Sequence, residues 1–437
     1  MKTAPFLSRA AVLLLAIGGA LASTQDAPPA GFVALFNGRD LEGWFGRATE
    51  DPRALWQMAP EALAAHREKT RADLRRHWRV AAGELVNDGT GLYATTVKDY
   101  RDFELWLEYR TVAGADSGVY LRGCPQVQIW DTTEAGGKWP LGADKGSGGL
   151  WNNRPGAPGK DPLRKMDRPF GEWNALRILM VGPRVTVWLN GANVVDDAVM
   201  ENYFDRSRPI FAAGPIQLQT HGGEIRWRNL YLREIDAEEA NRRHRARHGG
   251  GFEPLFNGRD FAGWRGADGY EITDGVLVCT EQGGTLFTDR PYADYAFDFE
   301  FGLGPGANNG LTIHYPGRGN PAHDGVELQI LDDSAPAHAG LQPWQYHGSA
   351  YGIKAARRGY LRPVGEWNYQ CVTCRGARVE VELNGYPILD LDLEREPAAD
   401  GQEHPGAARR SGHLGFFGHE TRVTFRNIRL KRLAQSD

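Results

Sequence analysis

The feature that most constrains this chain is an internal duplication. Gly31–Trp44 reads GFVALFNGRDLEGW and Gly251–Trp264 reads GFEPLFNGRDFAGW, with ten of fourteen positions identical at an offset of 220. Further matches follow in the same order. Trp78–Val86 answers Tyr270–Val278, and Asp102–Tyr109 answers Asp294–Phe301. SGVYLR at Ser117–Arg122 answers NGLTIH at Asn309–His314, and GEWN occurs at Gly171–Asn174 and Gly365–Asn368. The Leu-Asn-Gly triplet occurs at Leu189–Gly191 and Leu383–Gly385. A chain built this way folds as two copies of one unit, roughly 31–235 and 251–433, joined by a charged linker at 236–250.

The offset falls from 220 to 192 between the first two matches, so the first copy carries 28 extra residues near 48–77. They include Pro60-Glu61-Ala62-Leu63-Ala64-Ala65-His66 and a charged run to Arg76, which predicts a helix starting at proline. Its apolar face is thin, so it should lie on the surface. The linker DAEEANRRHRARHGG reads as a solvated helix or tether, not a nucleic-acid patch, because 51 Lys and Arg against 55 Asp and Glu leave a net charge of −4.

Elsewhere the pattern has the period of a strand. Phe103, Leu105, Leu107 and Tyr109 fall on one face, and Glu104, Trp106 and Glu108 on the other. Val185–Leu189 and Val379–Leu383 alternate and end in Asn-Gly, a hairpin signal. Glycine is 55 of 437 residues, above the usual share of roughly 7%. Short alternating strands with glycine-rich turns predict an all-β chain of two stacked-sheet sandwiches. Cys371 and Cys374 form a lone CxxC within a predicted strand, where their side chains face opposite ways, so neither a metal nor a redox role is assigned.

Residues 1–22 have the form of a secretory signal: Lys2 and Arg9, an apolar run from Ala10 to Ile17, and Ala20-Leu21-Ala22 before Ser23. Export to a periplasm or the exterior is expected. No later stretch approaches 18 apolar residues, so no membrane span is expected after its removal.

The repeated motifs resemble the 3-keto-disaccharide hydrolase family of secreted bacterial proteins. The resemblance rests on LFNGRDxxGW, SGVYLR, VQIWD or LQILD, GEWN and the LNG hairpin. It closes on GPIQLQTHGGEIRWRNLYLREI at Gly214–Ile235, and it covers nearly all of both copies. It implies two tandem concanavalin A-like jelly-roll β-sandwiches, with a short helical insertion in the first. It also implies hydrolysis or elimination on 3-keto-glycosides, with a carbohydrate substrate as partner.

A ketone at C3 acidifies the C2 hydrogen, so such a site needs a base, an electrophile near the ketone oxygen and an acid for the leaving group. Direct displacement with two carboxylates is the ordinary alternative. In the second copy, Glu327 and Gln329 share a strand face, Asp332 sits at its end, and His419 precedes a closing strand. Tyr351 and Lys354 rim that face, and His314 occupies the place of Arg122. In the first copy the corresponding residues are Gln126, Gln128, Asp131 and His221, with Arg122 to hold a ketone or hydroxyl and Trp151 to stack on a ring. Gln126 departs from the glutamate usual in the family. Expected catalytic residues are therefore Glu327, Asp332, His419, Asp131 and His221. Expected substrate contacts are Arg122, Gln126, Gln128, Trp151, Gln329, His314, Tyr351 and Lys354.

Glu327 favours the second copy for base chemistry, while the first keeps more of the binding residues. No cofactor motif is present. A divalent metal ion is the one cofactor these residue types admit, since His314, Glu327, Asp332 and His419 can all ligate one, but the spacing matches no metal motif. The alternative reading is a non-catalytic, lectin-like protein with two sugar-binding modules, because the same architecture serves both. A surface interaction protein using 48–77 and 236–250 is a third reading.

Overall fold

A computed structural model describes residues 26–434. The secretory signal expected at 1–22 lies outside the described residues. The chain forms four antiparallel sheets, two in each half. In the first half an eight-stranded sheet runs in the order Ala192–Val199, Arg184–Leu189, Asn174–Val181, Phe103–Thr111, Ile225–Glu234, Glu84–Asn87, Trp78–Ala81, with Val33–Ala34 also on Ile225–Glu234. Its five-stranded partner runs Trp44–Arg47, Tyr93–Thr96, Gln217–Leu218, Asp116–Leu121, Cys124–Trp130. The second half repeats both orders strand for strand; its five-stranded sheet runs Trp264–Arg265, Gly284–Thr288, His413–Gly418, Asn308–Tyr315, Val326–Leu331. The expected pair of all-β sandwiches is thus present.

Strand alternation builds the core as expected. Phe103, Leu105, Leu107 and Tyr109 are buried between the sheets, while Trp106 on the other face is exposed. The hairpins turn where Asn-Gly allows it: Asn190 (φ 50°) with Gly191 (φ 83°), and Asn384 (φ 51°) with Gly385 (φ 85°), adopt the left-handed backbone that these residues tolerate. Cys371 and Cys374 are free and face opposite sides of their strand. Cys374 donates to Tyr295 Oη in the main core, and Cys371 packs with Tyr369 and Ala296 on the outer face.

The extra residues of the first copy form helices α1 (Arg53–Trp56) and α2 (Pro60–His77). Helix α2 covers the edge strand Trp44–Arg47. Leu74 is buried there, and Arg71 Nε donates to Trp44 O at 3.2 Å. A Cβ at Gly46 would meet Thr70 O at 2.8 Å, so glycine permits this contact. An edge strand is thereby shielded from pairing with another chain.

The linker departs from expectation. Helix α3 (Ala237–Arg247), capped by Asp236 accepting from Glu239 N, is wedged between the halves. Asn241 and His244 are fully buried, and His244 stacks on Tyr369 with ring centroids 5.7 Å apart. Arg247 pairs with Asp197 of the first half at 2.8 Å, while His248 lies 3.0 Å from Glu382 of the second. Its charge serves two flanking surfaces, so the segment is neither solvated nor a loose tether.

Candidate active site

Outward residues of the first five-stranded sheet surround a cavity of about 250 Å³. Asp116, Gly118 and Tyr120 on one strand, and Gln126 and Gln128 on the next, face it, while Val119, Leu121, Val127 and Ile129 turn into the core. A Cβ at Gly118 would lie 2.8 Å from Gln126 Cδ, so glycine lets Gln126 lie across the floor. Trp151, Tyr203 and His221 form part of the wall.

The polar groups form one chain. Asp116 Oδ2 lies 2.7 Å from His221 Nδ1 and 2.5 Å from Lys138 Nζ. Gln128 Nε2 donates to Asp116 Oδ1 at 2.8 Å, and Gln126 Nε2 donates to Gln128 Oε1. Gln126 Oε1 and Gln219 Oε1 are buried without a partner and are acceptors available to hydroxyl groups. Tyr120 Oη shares a hydrogen with Thr49 Oγ1 at 2.6 Å, and burial pushes this phenol well above its ordinary pKa, which keeps it protonated.

The second copy exchanges the carboxylate. Asn308 stands where Asp116 is, and Glu327 stands where Gln126 is. Gln329 Nε2 donates to Asn308 Oδ1 at 2.6 Å, matching the Gln128–Asp116 bond. Glu327 Oε1 is buried, makes no hydrogen bond, and lies 3.6 Å from His419 Nε2. Phe417, in the place of Gln219, packs on His419 with centroids 4.3 Å apart. Each copy thus keeps one carboxylate beside its histidine, on a different strand. The expected grouping of Glu327 with Gln329 on one face is present, and His419 joins them.

Asp131 and Asp332 stand elsewhere and play one structural part in both copies. Asp131 accepts from Gly114 N at 2.7 Å, Thr133 N at 2.8 Å and Thr133 Oγ1 at 2.7 Å. Asp332 accepts from Gly306 N at 2.9 Å, Ser334 N at 3.0 Å and Ser334 Oγ at 2.6 Å. Burial alone would raise both carboxyls, but these donors outweigh it and hold both below the usual carboxylate range. Both carboxylates fasten turns, and Asp131 does not line the cavity beside Gln126, which corrects the catalytic expectation for both.

Arg122 and His314 are also corrected. By alternation each should face outward, yet Arg122 (φ 53°) and His314 (φ 56°) sit in left-handed backbone that turns them into the interior. Arg122 is fully buried, donating to Gly182 O at 2.9 Å, to Asp102 Oδ1 at 3.1 Å and to Tyr386 Oη of the second half. His314 is fully buried with neither ring nitrogen partnered, and burial lowers it to about 4. Neither can touch a sugar on the five-stranded face.

Trp151 and Tyr351 are equivalents: their amides donate to Gln126 O and Glu327 O. Lys160 Nζ lies 5.4 Å above the Trp151 ring. Tyr351 Oη accepts from Gln345 Nε2 at 3.0 Å, and Lys354 pairs with Glu396 at 2.6 Å, so both are engaged within the chain. Among the described residues no group of three His, Cys, Asp or Glu side chains is arranged to hold a metal ion. Glu327 and His419 come together, but Asp332 fastens its own turn and His314 is turned into the interior, so the four residues do not form one donor set.

Sequence reasoning missed Asp116, Lys138 and Tyr120. Asp116 precedes the SGVYLR motif by one residue and faces Asn308 across the repeat. That Asp/Asn exchange, opposite in sense to the Gln126/Glu327 exchange, is the signal that identifies it.

A family model described as the 3-keto-alpha-glucoside-1,2-lyase-like domain matches residues 31–233 and again 251–431. A curated 3-keto-disaccharide hydrolase from Bacteroides thetaiotaomicron is 19% identical over 248 residues, covering 47% of this chain and 79% of that protein. A solved structure from Parabacteroides distasonis, named as a candidate glycosyl hydrolase, is 27% identical with a TM-score of 0.39, covering 42% of this chain and 94% of that one. A carbohydrate-binding module from Bacillus subtilis is 12% identical with a TM-score of 0.29, covering 39% of this chain and 95% of that one.

Proposed function

This chain belongs, through both halves, to the 3-keto-alpha-glucoside-1,2-lyase-like family, and on that premise we propose that its first half cleaves 3-keto-glycosides by C2 proton abstraction. The observation that carries the proposal is the Asp116–His221–Lys138 cluster beside a cavity with free glutamine acceptors. Asp116 accepts the Nδ1 hydrogen of His221 and so leaves Nε2 as the basic nitrogen. His221 Nε2 takes the C2 proton, and the electron pair moves to the C3 ketone oxygen. Lys138 supplies the positive charge that stabilises this enolate.

The enolate re-forms the C3 ketone, the C1–C2 double bond forms, and the C1–O bond breaks. The leaving oxygen takes its proton from Tyr120. Water then adds across the double bond: its oxygen goes to C1, its proton returns to Tyr120, and C2 regains a proton from His221. The net reaction is hydrolysis; release before water adds gives the lyase product. Gln126 and Gln219 accept hydroxyl hydrogens, and Trp151 supplies a flat ring for stacking.

Turnover of a 3-keto-glucoside panel by wild type, Asp116→Asn and His221→Ala tests this reading. Cleavage in wild type and loss in both variants are expected. Absence of cleavage in wild type contradicts it. In the second half, Phe417 for Gln219 and Asn308 for Asp116 favour sugar binding without chemistry. The signal-like residues 1–22 support export to a periplasm or the exterior. Among the described residues no helix is long and apolar enough to cross a membrane.

A further inference from the structure

A second cavity, of about 480 Å³, lies between the two halves, away from the cluster just described. Four arginines line it: Arg53, Arg101 and Arg208 from the first half and Arg358 from the second. A neighbouring cavity of about 510 Å³ shares Arg101, Arg358 and Gly359 with it and adds Arg362, so the two form one cleft.

The cleft also holds Asp99, Asp332 and Asp333, yet two of its arginines stand outside any ion pair. Arg53 pairs with Asp51 at 2.5 Å and Arg358 with Asp333 at 3.3 Å. Among the described residues no carboxylate forms an ion pair with Arg101 or Arg208; Arg208 donates to Arg358 O at 3.4 Å, also meets the Tyr360 hydroxyl, and feels the Asp205 charge at longer range. Asp102, next to Arg101 in sequence, is already shared by Arg122 at 3.1 Å and Arg362 at 2.7 Å. The one acid on the first cavity, Asp99, accepts from Trp56 Nε1 at 2.8 Å. Burial opposes the charge on Arg101; Tyr386 and Asp102 offset part of this, while the Arg362 and Arg122 charges add to it, so the net effect still disfavours the charge and an anion placed there would relieve it.

An aromatic surface stands beside the arginines. Trp56 is 43% exposed, with its edge against Phe211 at 5.2 Å. Guanidinium groups match the geometry of carboxylates and sulfates, and an exposed indole suits a sugar ring. We propose that this cleft binds a sugar bearing an oxyanion, either a uronate carboxylate or a sulfate ester, with Arg101 and Arg208 on the anion and Trp56 under the ring. The sugar component rests on the proposed function; the anion component rests on the two guanidinium groups, Arg101 and Arg208, that line the cleft without an ion pair. Among the lining residues none is common to this cleft and the cavity of the proposed active site, so the two are separate.

Calorimetric titration of the whole chain at low salt tests the proposal, with glucuronate, glucose 6-sulfate, glucose and sodium sulfate as separate probes. One or both charged sugars should bind saturably, and the one that binds identifies the source of the anion. Affinity should fall at least tenfold in Arg208→Gln and in Arg101→Gln, with melting temperatures kept as a check on folding. Arg208→Gln should leave 3-keto-glucoside turnover within twofold, so this site fails or stands separately from the proposed chemistry. Glucose binding as tightly as glucuronate, or sulfate alone binding as tightly as either charged sugar, would overturn it. So would no binding by any anion, or binding that both substitutions leave unchanged.

Discussion

His221 Nδ1 lies 2.7 Å from Asp116 Oδ2, where the loop after Gln217–Leu218 passes the first residue of the strand Asp116–Leu121. The carboxylate fixes the imidazole tautomer and ring orientation. Asp116→Asn keeps the shape but removes the charge and can reverse the tautomer. Turnover should fall by about 10²–10⁴-fold with an unchanged melting temperature, the range expected for loss of a positioned base. Steady-state kinetics beside thermal unfolding check this.

Lys138 reaches the same carboxylate oxygen at 2.5 Å. If it stabilises the enolate as proposed, its loss should lower kcat more than it changes KM. Lys138→Gln is expected to lower kcat by about 10²-fold or more. A solvent-exchange assay should show slower loss of deuterium from C2-labelled substrate.

The two halves are joined through Asp102. It accepts from Arg122 and Gly182 within the first half and from Arg362 of the second at 2.7 Å. Burial alone would raise its carboxyl, but Arg362 and Arg122 outweigh burial and hold it below the ordinary value. Arg362→Leu leaves half of this buried charge uncompensated and should cost about 3–5 kcal/mol. Urea unfolding of the variant should show a lower midpoint, or two transitions where wild type shows one.

Burial lowers His244, His314 and His347 to about 4 from an ordinary 6.5. The unfolded chain binds these protons first as pH falls, so the native state loses stability between about pH 6.5 and 4 and gains nothing above it. Each histidine contributes up to roughly 1.4 kcal/mol per pH unit in that window. His314 has no hydrogen-bond partner, so His314→Leu should flatten the fall. Melting temperatures from pH 7 to 4.5 for both proteins check the sign.

Much of this architecture was legible because it depends on local pattern. The period of two in Phe103–Tyr109 and the Asn-Gly turns at 190 and 384 carry their own backbone requirements, and duplication repeats them. Glu327 and Gln329 were placed on one face by the same rule. The rule failed at Arg122 and His314, where one left-handed residue reverses the side chain at a strand end. It also failed for Asp131 and Asp332. There the Asp-x-Thr and Asp-x-Ser turns, capped from Gly114 and Gly306, were the readable sign of a structural role. Helix α3 looked solvated because its partners Tyr369, Glu382 and Asp197 are distant in sequence.

The proposed chemistry belongs to the first half, at Asp116 and His221, and not to the second half at Glu327. Initial rates of 3-keto-glucoside cleavage by wild type, Asp116→Asn and Glu327→Gln test it in one experiment. Loss of about 10²-fold or more is expected in Asp116→Asn, with a rate within twofold of wild type in Glu327→Gln. The reverse pattern, full activity in Asp116→Asn and loss in Glu327→Gln, would contradict it.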